Sequence, residues 1–150
     1  MATAAMSQLN SMWKSKISIA VKINVYKSLV LSIFLNGCVS WTLTAEMERR
    51  IPAFEHKCYR RILRINYIEH KTNKYVTDKI NKFAGRQEPI LAVVKRRKLV
   101  WFGHVTRHDS IAKTILQGTL EGSRRRGGQR ITWNDNIKKL TGLNYYTLFQ

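Results

Sequence analysis

At 150 residues, with 44% hydrophobic and 10% aromatic content, the chain is too apolar for a disordered basic tail and long enough to bury a core. Against 27 lysines and arginines stand nine acids, a formal net charge of +18, and a domain so unbalanced repels itself unless something anionic sits beside it. Nine scattered acids leave few carboxylates for a metal site, and the two cysteines, Cys38 and Cys58, form no CxxC pair; they read as reduced, buried thiols.

Met1 to Lys14 lacks the apolar core of a signal peptide. The first 45 residues hold no acid, as in transit peptides, but they also hold no arginine. Leu29 to Leu35 is far shorter than a bilayer span, so an intracellular, nuclear or cytoplasmic protein with no membrane partner is expected.

From Ile17 to Asn36, Ile19, Ile23, Tyr26, Val30, Ile33 and Phe34 recur at three- and four-residue steps, which predicts a helix stopped by Gly37. Leu29, Leu31 and Leu35 make that helix apolar nearly all round, either as the centre of the fold or as a face that docks elsewhere. Thr44 is the expected N-cap of the next helix, with Glu46 and Glu48 in its first turn and an end near Ile65. Its inner stripe is Met47, Ile51, Phe54, Cys58, Ile62 and Ile65. Arg50, Lys57, Arg61 and Arg64 fill the adjoining sector, widened by Arg49 and Arg60. Pro52 should bend this helix without breaking it.

Thr72 or Asn73 starts a shorter helix with Val76, Ile80 and Phe83 inward and an end near Gly85. Pro89 suits the first position of another, reaching about His108. There Leu91, Val94, Trp101, Phe102 and Val105 share one side, and Arg96, Arg97, His104 and Arg107 the other. Lys98 falls on the apolar side and is expected to snorkel outward. Ser110 caps a helical turn, Thr114 to Leu120 reads as extended, and Glu121 to Arg130, with four arginines and three glycines, reads as a mobile basic loop. A last helix opens near Thr132, with Trp133, Ile137 and Leu140 inward and Gly142 closing it. The expected fold is an all-α bundle of four to five helices: a domain over 1–109, then a basic, partly flexible segment with a C-terminal helix over 110–150.

Four segments carry a resemblance: KINVYKSLVLSIFLNGCVSWTLT (Lys22 to Thr44), FEHKCYRRILRINYIEHKTN (Phe54 to Asn73), VKRRKLVWFGHVTRHD (Val94 to Asp109) and GSRRRGGQRITW (Gly122 to Trp133). Together, in order and spacing, they resemble the C-terminal part of the endonuclease–reverse transcriptase of non-LTR (LINE-type) retrotransposons. That resemblance implies a thumb, a helical bundle that grips template and primer, followed by a basic extension. The chain departs from the family's pattern at Asn36 (usually Tyr), at Val39 (usually Glu), at Pro52, and at Arg126 to Gln129, where RGRP is commoner. Such changes fit a drifted copy.

A reverse transcriptase needs paired aspartates to hold two metal ions, and in that family they include a Tyr-x-Asp-Asp turn. Here the aspartates are Asp78, Asp109 and Asp135, each alone. A non-enzyme is therefore expected, with no catalytic residue, cofactor or small-molecule substrate. His104, His108 and Asp109 could offer metal ligands but lack a partner strand, and Cys38 and Cys58 with His56 or His70 fit no zinc-knuckle spacing. No phosphate-cradling glycine loop and no Gly-x-Ser-x-Gly elbow is present.

A run of charge is ordinarily a solvated face. Here the excess is one-sided, with few acids at i,i+4, which favours phosphate contact. The expected nucleic-acid contacts are Arg50, Lys57, Arg61 and Arg64 as one line, Arg96, Arg97, Lys98 and Arg107 as a second, and Arg124, Arg125, Arg126 and Arg130 as a flexible clamp. Trp41, Trp101, Phe102 and Trp133 either stack on bases or, at helical spacing, pack a core. Lys95 to Lys98 and Arg124 to Arg126 also fit nuclear localisation signals. The expected partner is an RNA or DNA backbone, with an upstream polymerase palm as a further one. The competing expectation is an interaction module that packs on such a palm, or a retroelement relic.

Overall fold

The computed structural model describes residues 1–107, 111–117 and 131–143, and every regular element among them is helical. In chain order these are α1 (Ala2–Gln8), α2 (Asn10–Lys14), α3 (Ile19–Val25), a π-helical stretch (Tyr26–Leu31), α4 (Ser32–Leu35), a 3-10 turn (Cys38–Ser40) and α5 (Ala45–Leu63). A second 3-10 turn (Tyr67–Glu69), α6 (Asn73–Ala84), α7 (Ile90–Arg107), α8 (Ile111–Gln117) and α9 (Trp133–Thr141) follow. The fold is all-α.

Hydroxyls open four of the helices, each accepting an otherwise orphaned backbone N–H. Ser18 accepts from Val21 N at 3.4 Å, Thr44 from Met47 N at 3.3 Å and Thr72 from Tyr75 N at 3.2 Å. Thr132 accepts from Asp135 N at 3.3 Å while Asp135 Oδ2 takes Thr132 N at 2.8 Å, a reciprocal capping box. Gly85 and Gly142 end α6 and α9 at φ 71 and 70, where a side chain would be strained. α5 stops two residues before the expected Ile65. Arg64 takes a left-handed φ of 56, and the bonds Arg64 N to Arg61 O (3.3 Å) and Ile65 N to Arg60 O (3.0 Å) close the helix as a Schellman motif with arginine in the glycine position. Pro52 lies inside α5, which continues through it.

The chain divides into two compact units, 1–36 with 48–92, and 37–47 with 93–150. The boundary expected after Asp109 falls outside the described residues. In the first unit, Met6, Trp13, Ile23, Tyr26, Val30, Leu35, Ile51, Cys58, Ile62, Val76, Ile80 and Ile90 are buried. Trp13 donates its indole N–H to Met6 O at 2.8 Å, Tyr26 meets Tyr59 edge-on at 5.8 Å, and Phe34 stacks on Phe54 at 4.8 Å. Burying an indole of this size makes truncation of Trp13 cost about 3–5 kcal/mol. The two N-terminal helices that present Met6 and Trp13 have no cap or period strong enough to be predicted, and none was expected there.

The 17–36 helix forms but turns differently from a uniform 3.6-residue period. The π-helical stretch at Tyr26–Leu31 adds backbone per turn, so the inner face moves from the expected Ile33, now exposed, to Leu35, now buried. Phe83 of α6 is likewise exposed where the period put it inward.

In the second unit, Phe102 and Ile137 form a buried cluster with Leu99, Leu116 and Trp133 against it. Asn134 Nδ2 donates to Leu116 O at 2.8 Å, tying α9 to α8, and Trp133 Nε1 donates to Val39 O at 2.7 Å. The extended segment expected from Thr114 is helical as far as Gln117.

Candidate nucleic-acid interface

On α5, Arg49, Arg50 and Lys57 of the basic sector are exposed. Arg61 donates to Asn10 Oδ1 at 3.1 Å and Ser7 Oγ at 3.4 Å. Arg64 donates from Nε to Trp13 O at 3.1 Å and from Nη2 to Ser15 O at 2.7 Å. Lys22, buried on α3, reaches the same two carbonyls at 2.8 Å each. These carbonyls close α2, a helix end with no further turn to satisfy it. Arg61 and Arg64, expected as phosphate contacts, fasten the N-terminal helices to α5. Burial first, and the nearby Arg64 charge second, hold the Lys22 ammonium below its ordinary pKa.

On the solvent side of α7, Arg96, Arg97, His104 and Arg107 are exposed, as expected. Lys98 is the correction. It is 0% exposed rather than snorkelling outward, and its ammonium donates to Trp41 O and, at 3.1 Å, to Asn136 Oδ1 while lying 4.4 Å from the Trp133 ring centroid. The outer surface is out of reach because the 37–47 segment and α9 cover that side of α7. Burial pushes its pKa down to about 8. Asn136 completes the arrangement by accepting Leu43 N–H at 2.6 Å and donating to Leu43 O at 2.9 Å. Lys98 thus holds one backbone and one side-chain oxygen of its own unit together and offers nothing to a phosphate.

The aromatic residues pack rather than project. Trp101 meets Trp133 edge-on at 5.3 Å and Phe102 lies 6.2 Å from the same ring, and none of the three is exposed. Arg124, Arg125, Arg126 and Arg130 lie outside the described residues, as do His108 and Asp109. Among the described residues no group of three or more His, Cys, Asp or Glu is placed to hold a metal ion, and no helix is long and apolar enough to cross a membrane. Cys38 and Cys58 are buried free thiols, and burial pushes Cys58 up to about 12.

Sequence reasoning missed two buried polar residues that tie elements together, one in each unit. Glu55 is buried on α5, where Tyr59 Oη donates to it at 3.0 Å and Ile90 N at 3.3 Å, so a side chain of α5 caps the start of α7. Burial raises its pKa, and these two hydrogen bonds partly oppose the rise. Asn136 is the other. Both sit one step off an apolar stripe, and that placement was the available signal.

No family model matches the chain, and no solved structure matches it. A transposon-derived protein of Caenorhabditis elegans is 25% identical over 122 residues, which is 79% of this chain and 43% of that protein. The chain thus spans less than half the length of the curated relative it matches, and over most of its own length it is similar to a transposon-derived protein.

Proposed function

We propose that the chain is a non-catalytic, nucleic-acid-gripping part of a retroelement protein, equivalent to the thumb of a non-LTR reverse transcriptase, and that it holds RNA or DNA by the phosphate backbone. The observation that carries this reading is the charge: 27 basic residues against nine acids, with Arg49, Arg50, Lys57, Arg96, Arg97 and Arg107 all exposed on long helices. Similarity to a transposon-derived protein supports it independently. The solitary aspartates support the non-catalytic part of the reading.

A protein that neutralises six phosphates releases their counterions, so its log–log salt slope on duplex should be about −5. Reversing Arg96 and Arg97 to Glu should reduce that slope by about 2 and weaken binding to all sequences alike. Lys98→Met should leave the slope unchanged. A flat response to salt in the unaltered chain overturns the proposal.

A second reading is favoured by one feature. The helical stretch 19–35 leaves Val21, Leu29 and Ile33 exposed, as a face that packs on a polymerase palm would be. Lys57→Glu with Arg97→Glu separates the two, because it should weaken nucleic-acid binding, lowering the salt slope by about 2, and leave such packing intact.

A further inference from the structure

We propose that the turn at residues 66–70 is a base-stacking finger, in which Tyr67, backed by Ile68, stacks on an unpaired nucleobase. This rests on the nucleic-acid reading and extends it from phosphate contact to base contact. Tyr67 is 88% and Ile68 80% exposed, adjacent large side chains that no core claims. Singly exposed apolar residues need no explanation. This pair differs because the backbone beneath it is held from several directions.

Asn66 N donates to Glu69 Oε1 at 2.8 Å, within a reciprocal capping box between those residues. Glu69 N and His70 N return to Asn66 O and Tyr67 O, both at 3.2 Å. His70 then reverses the chain at a left-handed φ of 45, and its ring lies 5.8 Å from that of Tyr67. Behind the turn, Arg60 Nη2 donates to Lys71 O at 2.7 Å and to Asn73 Oδ1 at 3.0 Å, anchoring the exit to α5. A turn that existed only to connect α5 and α6 would have no use for a tyrosine and an isoleucine at its tip.

The occupant follows from the chemistry around the tip. A phenol ring on a fixed backbone loses little conformational freedom on stacking, and every nucleobase offers a face, so such contacts tolerate any sequence. Lys71 and Lys74, both exposed, follow the turn directly, the Lys71 ammonium 5.3 Å from the Tyr75 ring centroid, and would take phosphates next to the stacked base. Glu69 sets one carboxylate, tied back onto Asn66 N, against these two lysines.

The test uses the full chain and a single-stranded DNA oligonucleotide carrying 2-aminopurine. Binding should quench the 2-aminopurine emission. Tyr67→Ala should remove the quenching and weaken binding by about five- to a hundred-fold, with the salt slope unchanged because no phosphate contact is lost. Tyr67→Phe should restore most of both, and Ile68→Ser should give a smaller loss. Because both side chains are exposed, thermal melts of these variants should coincide with that of the parent chain. Equal, salt-dependent binding by the parent and Tyr67→Ala overturns the finger and leaves the phosphate grip standing. Absence of any binding at low salt overturns the grip, and the finger with it.

Discussion

A lysine with no solvent exposure is costly to keep charged, and Lys98 has no carboxylate beside it among the described residues to offset that cost. Its folded pKa of about 8 lies below the ordinary value of 10.5, so the unfolded chain binds the proton more tightly. The burden is therefore present in full below about pH 8 and is relieved as pH rises towards 10.5. The carbonyl of Trp41, the amide of Asn136 and the Trp133 ring all favour the charged form, so the relief is at most about 3 kcal/mol. Buried Cys58, Tyr26 and Tyr59 act in the opposite sense above pH 9, because their folded pKa values are raised. The difference between parent and Lys98→Met isolates the lysine. In urea melts at pH 7.5 and 9, the parent should gain stability relative to the variant. A constant difference would mean that Lys98 does not titrate in this window.

At the scale of elements, hydroxyl caps and glycine stops carried most of what could be read in advance. Thr44, Thr72, Thr132, Gly85 and Gly142 stand where expected because a cap is a local transaction between a side chain and the next turn. What could not be read depends on partners distant in sequence. The π-helical turn at Tyr26–Leu31 shifts Ile33 outward without any local marker, and the inward pull on Lys98 comes from residues 38 and 57 positions away. The basic sector was legible as a helix face but not as a surface, since only contact with α1 and α2 reveals that Arg61 and Arg64 are already engaged. Arg64 shows two such demands meeting in one residue. Its left-handed backbone costs about 1 kcal/mol relative to glycine, while its guanidinium satisfies two carbonyls. Arg64→Ala loses the hydrogen bonds and keeps the strain, whereas Arg64→Gly loses the same bonds and relieves it. Arg64→Gly should therefore be the more stable variant by about 1 kcal/mol in denaturant melts. Equal stabilities would show that the positive φ carries no cost here.

For the molecule as a whole, two long-range tendencies oppose each other. A net charge of +18 keeps copies apart. On the 19–35 helical stretch, Val21 at 48%, Leu29 at 48% and Ile33 at 41% exposure recur at four- and eight-residue steps and draw copies together. At low ionic strength the repulsion reaches about 30 Å and dominates, whereas at 1 M salt it is screened within about 3 Å and the apolar attraction remains. Sedimentation velocity on the free chain should therefore show a single slow species at low salt and association as salt rises. A polyanion bound to the basic surface removes the same repulsion at low salt, so sub-stoichiometric duplex should also drive association. Leu29→Glu with Ile33→Glu places two negative charges on the apolar face and should abolish both effects while leaving the salt slope of duplex binding intact. If the double variant associates as readily as the parent, the contact between copies runs through some other surface, and the exposed face of this helix does not set the behaviour of the molecule.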